Sequence, residues 1–308
     1  HRQAGGCPCR LKSDFLSIRE NVPICECANL SININTTFVS MNNQRLGIFG
    51  IVNITTDSFS DGGMFIETDK AIAHALQLAE NGANVIDLGA ASSNPHTSPV
   101  SIEEEIARLS PVIKALKEKG IKISIDTFKP EVQKFCMEQG VEYINDIQGF
   151  PFPEFYPELA KSNCKLVVMH SVQRLGTATI VETNPEEVFN SMMAFFEERI
   201  NALKNAGISE DRLILDPGMG YFLGSNPESS ILMLKRFNEV KEKFGLLVMI
   251  AVSRKSFLGK ICGSDVKDRL APTLAAEIFA YKKGADYLRT HDVKSLSQAL
   301  KIINYLEN

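Results

Sequence analysis

From residue 46 onward, short runs rich in Val, Ile and Leu alternate with longer segments whose apolar residues recur at helical spacing. Such alternation marks βα units, and a chain built from them has few architectures open to it. Strands are predicted at 46–53, 84–89, 121–126, 142–146, 164–170, 212–216, 247–252 and 285–289. Helices are predicted near 68–81, 101–119, 129–139, 154–162, 185–206, 227–244, 268–283 and 295–306. Ser101 with Glu103, Glu104 and Glu105 reads as a helix start, and Gly82, Gly120, Gly140, Gly207 and Gly284 fall at or beyond helix ends. Eight strands each followed by a helix predict an α/β fold of the (β/α)8 TIM-barrel type. The first strand is not followed by G-x-G-x-x-G, which argues against a dinucleotide-binding open sheet.

The 308 residues accommodate one barrel of about 250 residues plus an extension. Residues 45–308 are assigned to the barrel. Residues 1–44 lack sustained periodicity, and the first methionine, Met41, directly precedes the first strand. Translation is therefore expected to start at Met41, with 1–44 a non-native or poorly ordered extension.

A net charge of −4 without any basic run argues against a nucleic-acid partner. No apolar stretch approaches the roughly 18–20 residues of a membrane span, and no secretory signal is visible, so a cytoplasmic, soluble protein is expected. Cys136, Cys164 and Cys262 sit singly in apolar segments and are expected as core thiols of a reducing compartment. Cys7, Cys9, Cys25 and Cys27 form two C-x-C pairs, a spacing tighter than zinc ligation usually uses.

Polar residues gather where the predicted strands end. Asp126 closes Ile121–Asp126, Asn145 lies in Asn145-Asp146, and Asp216 closes Leu213-Ile-Leu-Asp216. A single such carboxylate is readily explained as a helix cap. Two carboxylates and an amide at one barrel mouth match the adjacent N–H donors and acceptors of a flat heterocycle. Ser253-Arg254-Lys255-Ser256 follows strand seven, and Arg289-Thr-His291 closes strand eight, where barrels bind phosphate. The alternative for those basic residues is a surface cluster of weak ion pairs. The Asp57–Gly63 stretch reads either as an ordinary turn-rich connection or as a mobile lid.

Taken in order, Asn53-Ile-Thr-Thr-Asp-Ser-Phe-Ser-Asp-Gly-Gly63, Asp216-Pro-Gly, Ser253-Arg-Lys-Ser256 and Arg289-Thr-His291 resemble the dihydropteroate synthase family from about residue 46 to the C-terminus. The resemblance implies a barrel, usually dimeric, that joins 6-hydroxymethyl-7,8-dihydropterin pyrophosphate to p-aminobenzoate and releases pyrophosphate in folate biosynthesis. It gives Asp126, Asn145, Asp216 and Lys255 to the pterin, and Asn53, Arg289 and His291, with Mg2+, to the pyrophosphate. Asn53 is the implied metal ligand, and Asp126, Asp216, Lys255, Arg289 and His291 are the implied catalytic set. Ser256 would face the p-aminobenzoate carboxylate. Met169, Ser92, Ser93, Pro95, Tyr221, Phe222, Ser253 and Arg254 complete the implied substrate contacts. Two loops, about 54–66 and 91–99, would close over the substrates.

Three departures from the family pattern cluster in the loops. Asn94 stands where an Arg is usual in Ser92-Ser-Asn-Pro95, and Thr56 stands where a Pro is usual. After strand six, the usual Gly-Phe-Gly-Lys is replaced by Gly220-Tyr-Phe-Leu-Gly224, about two residues longer and without the Lys. This combination resembles the acquired, sulfonamide-resistant branch, in which an added aromatic side chain would collide with the drug's bulk and spare the smaller substrate. The simpler alternative is neutral variation in loop length. The competing enzyme class on the same barrel is a corrinoid-linked methyltransferase acting on methyltetrahydrofolate. That chemistry has no need of a leaving-group corner.

Overall fold

The computed structural model describes residues 46–54, 61–91, 99–176 and 180–307. The extension 1–44, with its two C-x-C pairs, lies outside them.

Eight parallel strands close into a barrel in chain order, each paired with its sequence neighbours and β8 with β1. They are β1 (Gly47–Asn53), β2 (Val85–Gly89), β3 (Ile123–Asp126), β4 (Tyr143–Asp146), β5 (Lys165–Met169), β6 (Leu213–Asp216), β7 (Leu247–Ile250) and β8 (Tyr287–Thr290). The helices are α1 (Asp61–Glu80), α2 (Ile102–Glu118), α3 (Pro130–Glu138), α4 (Tyr156–Lys161), α5 (Pro185–Asn205), α6 (Pro227–Phe244), α7 (Ser256–Cys262), α8 (Leu270–Lys282) and α9 (Val293–Glu307). Every predicted strand is found, and each differs from its predicted bounds by no more than two residues at either end.

Local chemistry explains where the helices begin. Ser101 Oγ accepts from the Glu104 N–H at 3.1 Å, and Asn184 and Asn226 cap α5 and α6 ahead of Pro185 and Pro227. Two boundaries differ from expectation. Helix α1 starts at Asp61, so its first turn includes Gly62 and Gly63, which the sequence reading assigned to the loop. Glycine lowers helix propensity without forbidding a helical first turn. Helix α7 is a separate short helix between β7 and α8. Its last residue, Cys262, is exposed, whereas Cys136 and Cys164 are buried as expected.

Strand alternation divides the core in two. Ile86, Leu88, Ile123, Ile125, Ile144, Leu166, Val168 and Leu215 face the helix layer. Phe49, Val85, Tyr143, Val167, Ile214 and Met249 fill the barrel floor, with Leu247 and Tyr287 packed against them. Phe49 meets Tyr143 and Tyr287 edge to face, with centroids 5.1 and 5.4 Å away. Gly47 is required here because a Cβ would lie 2.5 Å from the Tyr287 ring.

The lower rim is tied by side chains that precede three strands. Asn84, Glu142 and Asp286 accept the backbone N–H of Ile48, Ile123 and Val248 at 2.8, 2.8 and 2.9 Å. The floor is therefore packed and hydrogen-bonded, which leaves the opposite, C-terminal mouth for chemistry.

Candidate active site

The same alternation sorts the polar strand-end residues. On β4, Asp146 faces the helix layer, where its carboxylate accepts from Gln133 Nε2 and the backbone of Gln148 and Phe150 at 3.0, 2.7 and 3.1 Å. Asn145 has the opposite orientation. It is 3% exposed, and its Oδ1 has no hydrogen-bond partner among the described residues. Asp126 pairs in register with Asn145, and Met169 with Asp216.

Asp216 opens the Asp-Pro-Gly turn. Its Oδ1 accepts the Gly218 N–H at 2.8 Å, leaving the second oxygen for other donors. Gly218 has φ +76°, and a Cβ there would lie 2.3 Å from the His170 carbonyl oxygen. No other residue fits that close passage. His170 itself is fully buried, with its ring 5.5 Å from that of Phe195. Burial lowers its pKa to about 3, so it is a neutral structural residue that the sequence reading did not single out.

Burial raises Asp216 to about 6 against the pull of the Gly218 N–H and Lys255. Burial also raises Asp126, although Arg289 opposes it. Lys255 is lowered to about 8 by burial, with Arg289 acting in the same direction and Asp216 opposing. Three acidic groups and two cations thus share a poorly solvated space, in which each charge depends on the others.

The third acid is Asp87, in the middle of β2 and absent from the sequence-based candidates. Arg289 Nε donates to Asp87 Oδ2 and its Nη2 to Asp126 Oδ2, both at 2.6 Å. Burial disfavours the guanidinium charge, and the two carboxylates more than offset this, so its pKa is raised. Period-two alternation from Val85 through Gly89 was the signal that places Asp87 inside the barrel. An apolar run surrounds Asp87 and concealed it.

Beside Arg289, Ser253 forms a small hub. Its Oγ lies 3.0 Å from His291 Nδ1 and accepts the His291 N–H at 3.2 Å. Burial, then Arg289 and Arg254, push His291 down to about 3, so it meets an anion as a neutral hydrogen-bonding ring. Arg254, at φ 59°, turns its guanidinium outward to Asp292 at 2.9 Å.

Around the rim, Gly220–Leu223 form a 3-10 turn. Phe222 packs against Ile147 and Met169, and the Lys255 ammonium sits 4.8 Å from its ring centroid. The Val172 N–H donates to the Phe222 carbonyl at 2.9 Å, pinning the turn to the segment after β5. Ser256 opens α7. Asn53 is exposed at the end of β1, and its Oδ1 would lie 3.7 Å from a Cβ at Gly89. The predicted contacts Ser92, Ser93 and Pro95, with Asn94 and Thr56, lie outside the described residues. The predicted 54–66 loop is shorter than expected, because α1 begins at Asp61.

A closed parallel barrel whose mouth joins acceptors on β3, β4 and β6 to cations after β7 and on β8 defines a pterin-binding barrel enzyme. Residues 49–291 match the family model described as "Pterin binding enzyme". The chain is 77% identical over 255 residues to dihydropteroate synthase type-3 of Escherichia coli, covering 83% of this chain and 97% of that protein. It superposes on the Xanthomonas albilineans dihydropteroate synthase solved with 4-aminobenzoic acid (TM-score 0.76, 35% identity, 85% of this chain and 93% of that one). It also superposes on the Anaplasma phagocytophilum enzyme solved with 6-hydroxymethylpterin-monophosphate (TM-score 0.75, 34% identity, 85% and 99%). The chain belongs to the dihydropteroate synthase family, transferases of folate biosynthesis.

Proposed function

We propose that this barrel condenses 6-hydroxymethyl-7,8-dihydropterin pyrophosphate with p-aminobenzoate, using an acidic floor for the pterin and a basic corner for the leaving group. The observation that carries this reading is the convergence of Asp126, Asn145 and Asp216 with Lys255 and Arg289 at one mouth. The pterin's amino and ring N–H groups donate to Asp216 and Asp126. Asn145 supplies an acceptor that has no partner among the described residues, and Lys255 donates to a ring acceptor. Met169 and Phe222 supply apolar surface beside the ring.

Arg289 and His291 face the pyrophosphate, with Ser253 fixing the imidazole. Magnesium suits this corner in one respect. Mg2+ is commonly held by one or two protein oxygens plus substrate phosphates, and the exposed amide of Asn53 offers such an oxygen. When bound, it would neutralise charge on the departing pyrophosphate.

The C–O bond at the pterin methylene breaks, and pyrophosphate leaves with the electron pair. The cation left behind is delocalised into the pterin ring. The arylamine of p-aminobenzoate is a neutral nucleophile at pH 7. It attacks the methylene carbon and then loses a proton, so no strong base is required. Ser256, at the start of α7, takes the carboxylate, and positioning and electrostatics contribute most of the acceleration. The test is p-aminobenzoate turnover coupled to pyrophosphate release. A protein that binds pterin without releasing pyrophosphate would overturn the reading.

The Tyr221–Gly224 turn supports a sulfonamide-insensitive form. Phe222 stacks beside Lys255, at the border between the pterin floor and the p-aminobenzoate approach, where drug bulk would meet its ring. A homodimer is the expected assembly. The adjoining helices α7, α8 and α9 expose Ile261, Leu270, Phe279 and Ile302, a set of apolar side chains suited to burial against a second copy. Light scattering on the eluting protein should return twice the chain mass.

A further inference from the structure

The two bonds made by Arg289 are not equivalent. Asp87 is 0% exposed, lies in mid-strand on β2, and is flanked in register by Ile51 and Ser124. Asp126 retains 23% exposure at the very end of β3, where a ligand can reach it. Both bonds are 2.6 Å long and come from different nitrogens of one guanidinium. Breaking the Asp87 bond would strand a wholly buried carboxylate, whereas Asp126 can replace Arg289 with another donor at the mouth.

The proposed function requires such a replacement. It assigns Asp126 to the N–H donors of the pterin and Arg289 to the pyrophosphate, yet here the two hold each other. A carboxylate that receives a forked pair of donors needs both oxygens, and Arg289 occupies Oδ2. The guanidinium has donors to spare. With Nε committed to Asp87, the planar guanidinium can pivot about that bond and carry both terminal amino groups from Asp126 toward an anion without leaving the barrel wall.

We propose that Asp87 is a positioning residue that anchors Arg289 through Nε while Asp126 exchanges Arg289 for the pterin ring. Pterin binding then does two things at once. It satisfies Asp126, and it frees the Arg289 terminal amines for the pyrophosphate. This inference rests on the pterin-floor reading above and adds a linkage between floor and corner.

The deciding experiment is a crystal structure of the wild-type protein with 6-hydroxymethylpterin, which carries the ring and lacks the pyrophosphate. The expected result is a pterin on Asp126 with the Nε–Asp87 bond kept and the Nη2–Asp126 bond broken. A pterin on Asp126 with Arg289 still bonded there overturns the exchange alone. A pterin seated elsewhere overturns the floor reading and the exchange with it. In solution, Asp87→Asn removes the anchoring charge at constant shape. Its kcat should fall by about 100-fold, the scale of losing one oriented donor. Its affinity for 6-hydroxymethylpterin should fall about tenfold, because Arg289 then rests wholly on Asp126. The KM for p-aminobenzoate should stay within about threefold of wild type, since Asp87 is assigned no part in that substrate's site. A kcat unchanged from wild type, or a loss carried equally by the p-aminobenzoate KM, overturns the positioning role. If Asp87→Asn fails to fold, the wild-type complex decides alone.

Discussion

Asp216 combines two duties, one toward its own backbone and one toward the site. Its Oδ1 fixes the Gly218 N–H, so Asp216→Asn retains a turn acceptor and loses only the negative charge. Pterin affinity and kcat/KM should fall by about 100-fold while folding persists, a loss on the scale of a charged hydrogen-bonded partner. Calorimetric titration with 6-hydroxymethylpterin measures this, and binding near the wild-type value would remove Asp216 from the site. Glu277 makes a different prediction. It is buried on α8, with neither carboxylate oxygen in a hydrogen bond of normal geometry among the described residues. Burial raises its pKa from 4.5 to about 8, with the nearby Thr290 hydroxyl opposing. The folded chain keeps a proton that the unfolded chain releases, so stability falls as pH rises from 4.5 through 8. Glu277→Gln should therefore gain in melting temperature over wild type between pH 5 and pH 8, by about 5 °C. Parallel melting curves at those two pH values would refute the assignment.

Elements were more legible than the contacts between them. Residues such as Asp126 and Asp216 stood out because a polar side chain after an apolar run breaks the pattern at the point where a barrel places chemistry. Asp87 was hidden because one acid inside Val85–Gly89 leaves the run apolar overall, and its partner Arg289 lies 202 residues away. Helix α7 was too short for a periodicity argument, and Gly62-Gly63 disguised the first turn of α1. The 3-10 turn Gly220–Leu223 could be recognised as an insertion, but its attachment to the Val172 backbone could not. That attachment sharpens the prediction for the turn. Deleting Phe222 and Leu223 should increase inhibition by sulfamethoxazole at least about tenfold, the scale of one lost steric discrimination, with a smaller change in the p-aminobenzoate KM. Unchanged discrimination between drug and substrate would remove the steric account.

At the scale of the whole molecule, the site's charges form a field assembled from four strands and the segment after β7. Asp216 at about 6 and Lys255 at about 8 bracket the window in which the two pterin-facing groups carry opposite charges. Affinity for 6-hydroxymethylpterin should be highest between those values. It should fall below pH 6 as Asp216 and Asp126 take up protons, and above pH 8 as Lys255 loses one. In Asp216→Asn the acid limb should become shallower, with Asp126 carrying what remains, while the alkaline limb is kept. An unchanged acid limb would assign that titration to another group.

The pairing of β8 with β1 carries one further consequence, for the order in which a ribosome delivers the chain. Asp87 and Asp126 emerge early, while the guanidinium that pairs with both emerges with the last strand. A growing chain therefore carries two inward-facing acids without their counter-ion until the seam is sewn. Catalytic competence should arrive all at once with closure, and a chain that stops short of Arg289 should lack a working mouth however well its first seven strands have formed.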